Sequence, residues 1–504
     1  MASMSVPAPV GGWNARDSLD AMDPLDAISL VNLFPGQSSV ESRAGAEEFS
    51  TGFGGAVETI STYRSGTVEQ MIVGANNQLW RVTLSNGSKT SLSSGYSSDR
   101  WQTLNFNGKL ILCNGSDNPV EYDGTSTSNV TYSGGVSPSD IVGVTSYKGR
   151  AFYWENNSAN FWYASAGSYA GPLSEFVLDT IVQTGGDIIE CMTWTRDAGD
   201  GQDDLFVIVF NTGEVLVYQG DDPGSSTDWS MIGRYSIGAP ITPRGSTQLA
   251  ADRVVITKDG YVPLSIALQQ ARVSELNNIS GKIIKAAKSA ATKYANNYGW
   301  EVIHYPKESM LIVNVPVDPE TTAAESTYEQ HVMNTNTGAW CKFTGWKAIT
   351  FGVAGDQLYF GDADGKVFKA YTSTEDDGAF IQTECVPAFN PLSGASIQKQ
   401  LTLCTVVSDY YSPNYLDIEG LSDFNVPRAG TFRTPPDGSQ AEWDASSWDE
   451  DFWAGDGSNE PVRSETFSVA AFGYMLSVRL RFQSKIQRVR LYSLKYQFKN
   501  GRSV

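Results

Sequence analysis

Along most of the chain, apolar and polar positions alternate at period two, in runs rich in Val, Ile, Thr, Tyr and Phe broken by Asn-Gly, Asp-Gly and Gly-Asp turns. This pattern predicts short β-strands joined by hairpins. One motif recurs: an apolar strand, a polar turn, then a second strand carrying an aromatic. It appears as QMIVGANNQLWRVT (70–83), KLILCNGSDNPVEYDG (109–124), RAFYWENNSANFWYAS (150–165), DLFVIVFNTGEVLVYQG (204–220), RVVITKDGYVPL (253–264) and QLYFGDADGKVFKAY (357–371). The aromatics Trp80, Tyr122, Tyr163, Tyr218, Tyr261 and Phe368 mark the repeat, with steps of 42, 41, 55, 43 and 107 residues. The long last step holds a helical pattern and one further unit, SMLIVNV (309–315) with YEQHVMNTNTGAWCKF (328–343). Units of about 40–45 residues suit the four-stranded blade of a propeller, which buries sheet faces by repetition around an axis. The prediction is an all-β chain with a β-propeller of six or seven blades over residues 51–379. A stacked β-sandwich shares the alternation and is the competing reading. No G-H…W-D signature is present, so this is not a WD-repeat chain.

One stretch breaks the strand pattern, a helical insertion near 267–297. In SGKIIKAAKSAATKYANN, Ser280 is a candidate N-cap, and Ile283, Ile284, Ala287, Ala290 and Ala291 recur at helical spacing. Lys282, Lys285 and Lys288 lie on its polar side, either as a solvated face or as a contact for an acidic partner. After about residue 380 the texture changes. New strands follow a Pro/Ser/Asn-rich segment, and residues 437–460 carry eight carboxylates and no Lys or Arg, with Trp443, Trp448 and Trp453 five residues apart. From Arg463 to the last residue the sign reverses, with nine Lys/Arg against Glu465 alone. Strict alternation there sets Arg479, Arg481, Arg488 and Arg490 opposite Leu480, Phe482, Val489 and Leu491. Residues 380–504 read as a separate β-sandwich-like domain. Its arginines and tryptophans are the candidate contact residues, the indoles more readily as buried contact area than as a carbohydrate platform.

Composition narrows function more than fold. The 504 residues carry 36 Lys+Arg against 56 Asp+Glu, a formal charge of −20, which argues against gripping nucleic acid. Two histidines, His304 and His331, exclude zinc sites built on several imidazoles and leave little room for a Ser-His-Asp triad. The cysteines, Cys113, Cys191, Cys341, Cys385 and Cys404, are odd in number and never spaced C-x-x-C, so they read as buried reduced thiols of a protein assembled in a cytosol. MASMSVPAPVGGWN has neither the basic nor the apolar region of a secretory signal, and the longest apolar run is Leu205–Phe210, too short to span a membrane.

Candidate chemistry is sparse. GDADG (361–365) and DAGDGQDD (197–204) offer carboxylates, but neither has the ordered ligand spacing of a calcium loop. Asp-Gly turns also serve hairpin geometry alone. SSTDW (225–229) resembles part of the Asp-box of sialidases, without its glycine and without recurrence. No phosphate loop, dinucleotide fingerprint, G-x-S-x-G or H-E-x-x-H is present. The expectation is a non-enzymatic chain without cofactor or metal. The alternative is a propeller that binds or degrades polysaccharide.

Three regions carry a family resemblance. The opening has Gly11-Gly12-x-Asn14, the stretch from Asp17 to Asp26, Asn32-Leu33-Phe34-Pro35 and Ser42-Arg43-x-Gly45. The later run YANNYGWEVIHYPKESMLIVNVP is followed by NTNTGAWCKFTGW. Both resemble the tail nozzle, or packaged-DNA stabilisation (tail hub), proteins of short-tailed bacteriophages, as does the Trp-Asp run with its closing strands. The resemblance implies a structural virion protein assembled in the host cytoplasm into a ring, of six copies, around a DNA exit channel. It would contact an adaptor or portal-side protein and tail fibre, spike or needle proteins, and DNA would pass without sequence-specific binding. Residues 1–50 would supply an N-terminal arm and a strand that closes the propeller. Six copies would carry about −120 of formal charge, a field that keeps phosphates from sticking. The acidic 437–460 and basic 463–504 stretches would be complementary across a subunit boundary.

Overall fold

The computed structural model describes residues 1–197, 202–269, 278–317, 328–409, 416–428, 430, 462–485 and 488–501. The chain forms two compact units. One, the propeller unit, holds 48–329 and 347–370; the other, the terminal unit, holds 1–47, 330–346 and 371–504.

The propeller unit is a succession of antiparallel sheets in which each strand pairs with its predecessor. The first blade is Val57–Ser65, Val68–Ala75, Gln78–Val82 and Lys89–Ser94. The second is Gln102–Phe106, Lys109–Cys113, Val120–Tyr122 and Thr127–Asn129. The third, Ile141–Tyr147, Arg150–Glu155, Phe161–Ala164 and Gly171–Phe176, takes a parallel edge strand, Tyr132–Ser133. The fourth is Ile188–Asp197, Gln202–Phe210, Glu214–Gln219 and Ser230–Ser236. Three strands form the fifth: Ser246–Leu249, Asp252–Thr257 and Gly260–Pro263. The sixth opens with Glu301–Tyr305 and Met310–Val315. The seventh orders Thr350–Ala354, Gln357–Gly361 and Val367–Ser373, and its outer strand is Gly45–Ser50, from far earlier in the chain.

Blade follows blade in contact, and the inner strand of the seventh packs against that of the first, closing a ring of seven. The marker aromatics Trp80, Tyr122, Tyr163, Tyr218, Tyr261 and Phe368 each fall in a third strand. The long 163-to-218 step reflects inner strands of ten and nine residues in the fourth blade.

Cores lie between neighbouring blades. Between the third and fourth, Phe152, Phe161, Phe206, Tyr218 and Trp229 are buried together, with Trp229 stacked on Tyr218 at 5.3 Å and Phe152 against Phe206 at 4.5 Å. Trp229 belongs to the SSTDW segment, so its indole serves packing. Truncating such a ring costs about 3–5 kcal/mol.

Among the described residues the fifth blade has three strands, and the helical insertion packs on the last of them. Helix Ile284–Tyr294, preceded by the 3-10 turn Gly281–Ile283, packs on strand Gly260–Pro263 and buries Ile284, Ala287, Ala290 and Ala291. Gly260 permits the approach: a Cβ there would meet Ser280 Oγ at 2.6 Å, and its φ is +119°. Ser280 stands at the N-cap position of that turn, but its side chain makes no capping bond. Its hydroxyl accepts from Tyr261 N–H (3.0 Å) and donates to Asn278 Oδ1 (2.9 Å), pinning the insertion to the blade instead.

The terminal unit has two sheets. One runs Arg463–Gly473, Lys399–Ser408 and Arg490–Asn500, then Val40–Ser42 and Leu33–Pro35, with Ala2–Pro7 also on Arg490–Asn500. The other runs Trp340–Thr344, Asp26–Val31, Ile381–Pro387, Leu476–Ser484 and Leu416–Ser422. Residues 330–346 group with this unit by contact, while their strands Glu329–Asn334 and Trp340–Thr344 follow Met310–Val315 in one sheet, as the further unit read from sequence at 309–343 has it. The chain is therefore all-β: a β-propeller with one helical insertion, and a β-sandwich-like unit.

All five cysteines are buried and free, and burial pushes each thiol above its ordinary range. Among the described residues no helix is long and apolar enough to cross a membrane.

Candidate functional site

In the terminal unit Asn32 of the opening and Thr344 and Trp346 of the later run meet around one buried cation, Arg43. Arg43 is 0% exposed. Its Nε donates to Asn32 Oδ1 (2.9 Å), Nη1 to Ala44 O (3.0 Å) and Asp376 Oδ1 (2.9 Å), and Nη2 to Thr344 O (2.6 Å) and Asp376 Oδ2 (2.5 Å). The guanidinium also lies over Trp346, 5.0 Å from its ring centre. A planar fork meeting a carboxylate on two bonds is the arrangement in which Arg has no substitute. Asn32, in the left-handed region at φ 55°, turns its amide to serve Thr344 and the Gln382 carbonyl as well. Gly45 is required because a Cβ would lie 1.8 Å from Glu375 O.

Upstream, Gly12 has φ +82° and a Cβ there would sit 2.6 Å from Trp340 O. Asn14 donates to Asp17 and Asp26 at 2.8 Å each, and its carbonyl accepts the Arg16 and Asp17 N–H groups. The opening motif and the NTNTGAWCKFTGW run, about three hundred residues apart, thus form one interlocked set of buried polar contacts.

The four candidate contact arginines also lie in the terminal unit, but not as a free basic face. Arg479 and Arg481 are 3% and 6% exposed. Arg479 pairs with Glu419 at 2.5 Å, and Arg481 with Asp417; their other donors reach the Pro427 and Gly430 carbonyls. Alternation sets them opposite Leu480 and Phe482, yet Pro427 and Gly430 lie against that polar side. Pairing with carboxylates of the same chain is what allows these charges to be buried. Arg488 and Arg490 remain partly exposed and share Glu41 at 3.3 and 3.2 Å; Arg488 also holds the Ser42 carbonyl and Tyr371 hydroxyl at 3.0 Å. Trp443, Trp448 and Trp453 lie outside the described residues, as does the acidic stretch 437–460.

In the propeller unit a second arginine node was not foreseen from sequence. Arg244, in the segment entering the fifth blade, accepts Val302 N–H of the sixth on its carbonyl. Its guanidinium reaches three further blades. Nη1 donates to Glu58 O (2.8 Å) and Thr350 Oγ1 (3.2 Å); Nη2 donates to Thr59 Oγ1 (2.7 Å) and Trp101 O (2.9 Å). Tyr298 donates to Glu58 O at 2.7 Å, and Arg100 stacks on its ring at 3.7 Å. Glu301 accepts Phe351 N–H at 2.9 Å, and burial raises its carboxyl above the usual range against the pull of Arg244. Glu190 is likewise raised by burial, offset in part by Arg253 and by Ser246 Oγ at 2.5 Å. These contacts join blades.

The remaining chemistry is structural. Asp362 of GDADG accepts the Asp364 and Lys366 N–H groups, as hairpin turns do. Asp228 of SSTDW accepts from Asp221 and Asp222 N–H at 2.8 Å. Among the described residues no group of three His, Cys, Asp or Glu could hold a metal. His331 is buried edge-on to Trp13 at 5.3 Å, and burial lowers the His304 pKa. An open polar cleft of about 470 Å³ lies on the first two blades, lined by Ser93, Ser94, Tyr96, Asp117, Thr127 and Ser128.

No family model matches the chain, and no curated protein does. Among solved structures, the computationally designed Ika8 protein is 11% identical with a TM-score of 0.37, covering 68% of this chain and 96% of its own. BamB from Moraxella catarrhalis gives the same four values. BBS1N, solved in complex with ARL6DN, is 10% identical with a TM-score of 0.31, covering 45% and 74%. The fold rests on the sheet order above.

Proposed function

We propose that this chain is a structural virion protein that forms the ring-shaped tail nozzle of a short-tailed bacteriophage, through which DNA is retained and then ejected. The observation that carries the reading is the Arg43 node. Asn32 and Arg43 from the opening and Thr344 and Trp346 from the later run meet there, so part of the resemblance from each region falls on one set of mutually dependent residues. The charge of −20 supports the same reading, since a wall that carries surplus carboxylate lets a polyanion slide without being held. In this reading the chain works with an adaptor or portal-side protein and with tail fibre, spike or needle proteins, and performs no catalysis.

The test is electron cryomicroscopy of tailed particles from the same source. A closed ring of this chain below the portal-side assembly is the expected result. Its absence from particles would overturn the proposal. A specific observation favours a second reading, a glycan-binding tail protein: the hydroxyl-rich cleft at Ser93, Tyr96 and Thr127. Saturable binding of a host-surface polysaccharide, lost on altering that cleft, would support it.

A further inference from the structure

One helix face in the propeller unit stands against the sign of the chain. The turn and helix Gly281–Tyr294 carry Lys282, Lys285, Lys288 and Lys293 and no acidic residue. At about 100° per residue the four lysines fall within an arc of roughly 140°, opposite the buried Ile284, Ala287, Ala290 and Ala291. That buried face occupies the edge of the three-stranded fifth blade, so the lysines point away from it. Lys285 and Lys293 are exposed, and among the described residues no ion pair reaches either.

A complementary patch lies on the third blade of the same unit. Glu175 and Asp179 are exposed and converge on one donor, Asn160 Nδ2, at 2.9 and 3.5 Å. No cation pairs with them among the described residues, and Val177 between them is 49% exposed. Two like charges beside an exposed apolar residue, without a counter-ion among the described residues, are suited to a cation from another molecule.

We propose, resting on the nozzle reading, that the lysine face is a contact between copies of this chain, with Lys285 and Lys293 of one copy meeting Glu175 and Asp179 of the next. Paired head to tail, one patch of each copy with the other patch of the next, the contact is heterologous, the kind that closes into a ring or runs on as a filament. Flexible lysine stems allow the pairing without close shape matching. Nucleic acid is the less suitable occupant: the chain as a whole repels a polyanion, and a reading or gripping surface needs an extended basic face.

The experiment is a charge swap in the full chain, with self-association followed by sedimentation velocity. Lys285→Glu/Lys293→Glu and Glu175→Lys/Asp179→Lys should each weaken association about tenfold or more, and mixing the two variants should restore it. All four side chains are exposed, and unchanged circular dichroism should show that both variants fold. Wild-type-like association of the variants, no recovery on mixing, or a wild-type chain that stays monomeric would each overturn the inference. So would lysine-dependent binding of a labelled duplex of about 30 base pairs, which would assign the face to nucleic acid. Particles with normal rings built from the lysine variant would sink this contact and leave the nozzle reading standing. Swap-dependent association of a chain absent from particles would do the reverse.

Discussion

Arg43 in the terminal unit and Arg244 in the propeller unit do similar work with different materials. Each guanidinium ties together segments distant in sequence, Arg43 reaching Asp376 and Thr344, Arg244 reaching Glu58, Trp101 and Thr350. Arg43 is fully buried and answered by a carboxylate on two bonds, an amide oxygen and an indole face. Arg244 is partly exposed and answered by backbone carbonyls and hydroxyls, with Glu301 nearby. A node built on specific side chains must keep all of them, because losing one partner strands a buried charge. A node built on carbonyls asks little of the residues that supply them.

The sharpest way to break this comparison is Arg43→Ala, which leaves Asp376 without its partner and should destabilise the terminal unit by about 3–5 kcal/mol. Urea unfolding followed by tryptophan fluorescence would measure it, Trp346 being in contact with the guanidinium. Arg43→Lys should recover only part of the loss, since an ammonium cannot reproduce the fork. Next comes Arg244→Ala, expected to cost about 1–3 kcal/mol, because the four acceptors it leaves are neutral. Equal losses from the two alanine variants would collapse the distinction drawn between them.

A smaller effect tests the neighbouring carboxyl. Burial raises the folded pKa of Glu301 above its unfolded value, so its favourable contribution is complete below the unfolded value, about 4.3, and is lost as pH rises through the folded one. Glu301→Gln should therefore melt above wild type at pH 7–8, with the gap closing toward pH 4, as scanning calorimetry across pH would show. Smallest of all, Lys285→Glu/Lys293→Glu should change stability by no more than about 0.5 kcal/mol, as expected of exposed side chains. A larger loss in a denaturation curve would mean the lysine face supports the fold.

The same contrast explains what was legible in the sequence. Blades could be read because hairpins are local: alternation, Asn-Gly turns and a third-strand aromatic repeat within about forty residues. The Arg43 node left a trace because it requires Asn32, Arg43 and Gly45 in their places. Arg244 left none, since two of its four acceptors are carbonyl oxygens that any residue could supply. Arg479 and Arg481 were assigned to the correct strand face, but no pattern within a strand reveals that Pro427 and Gly430 lie against it. Ser280 had the composition of a cap; Gly260, twenty residues earlier, decided its real partner by leaving room for it.

The outer strand of the seventh blade has a consequence for how the molecule is made. Residues 48–50 emerge from the ribosome more than three hundred residues before Val367–Ser373, beside which they finally lie. At about 5–20 residues per second, that separation is a wait of roughly a quarter of a minute to a minute. During it, six blades can collapse on one another while the first stands with an unpartnered flank and the closing strand has nothing to join. The circle is thus fastened last, by its oldest piece. Until then the nascent chain carries an exposed strand and an open sheet edge, the pair of features most prone to capture by another molecule.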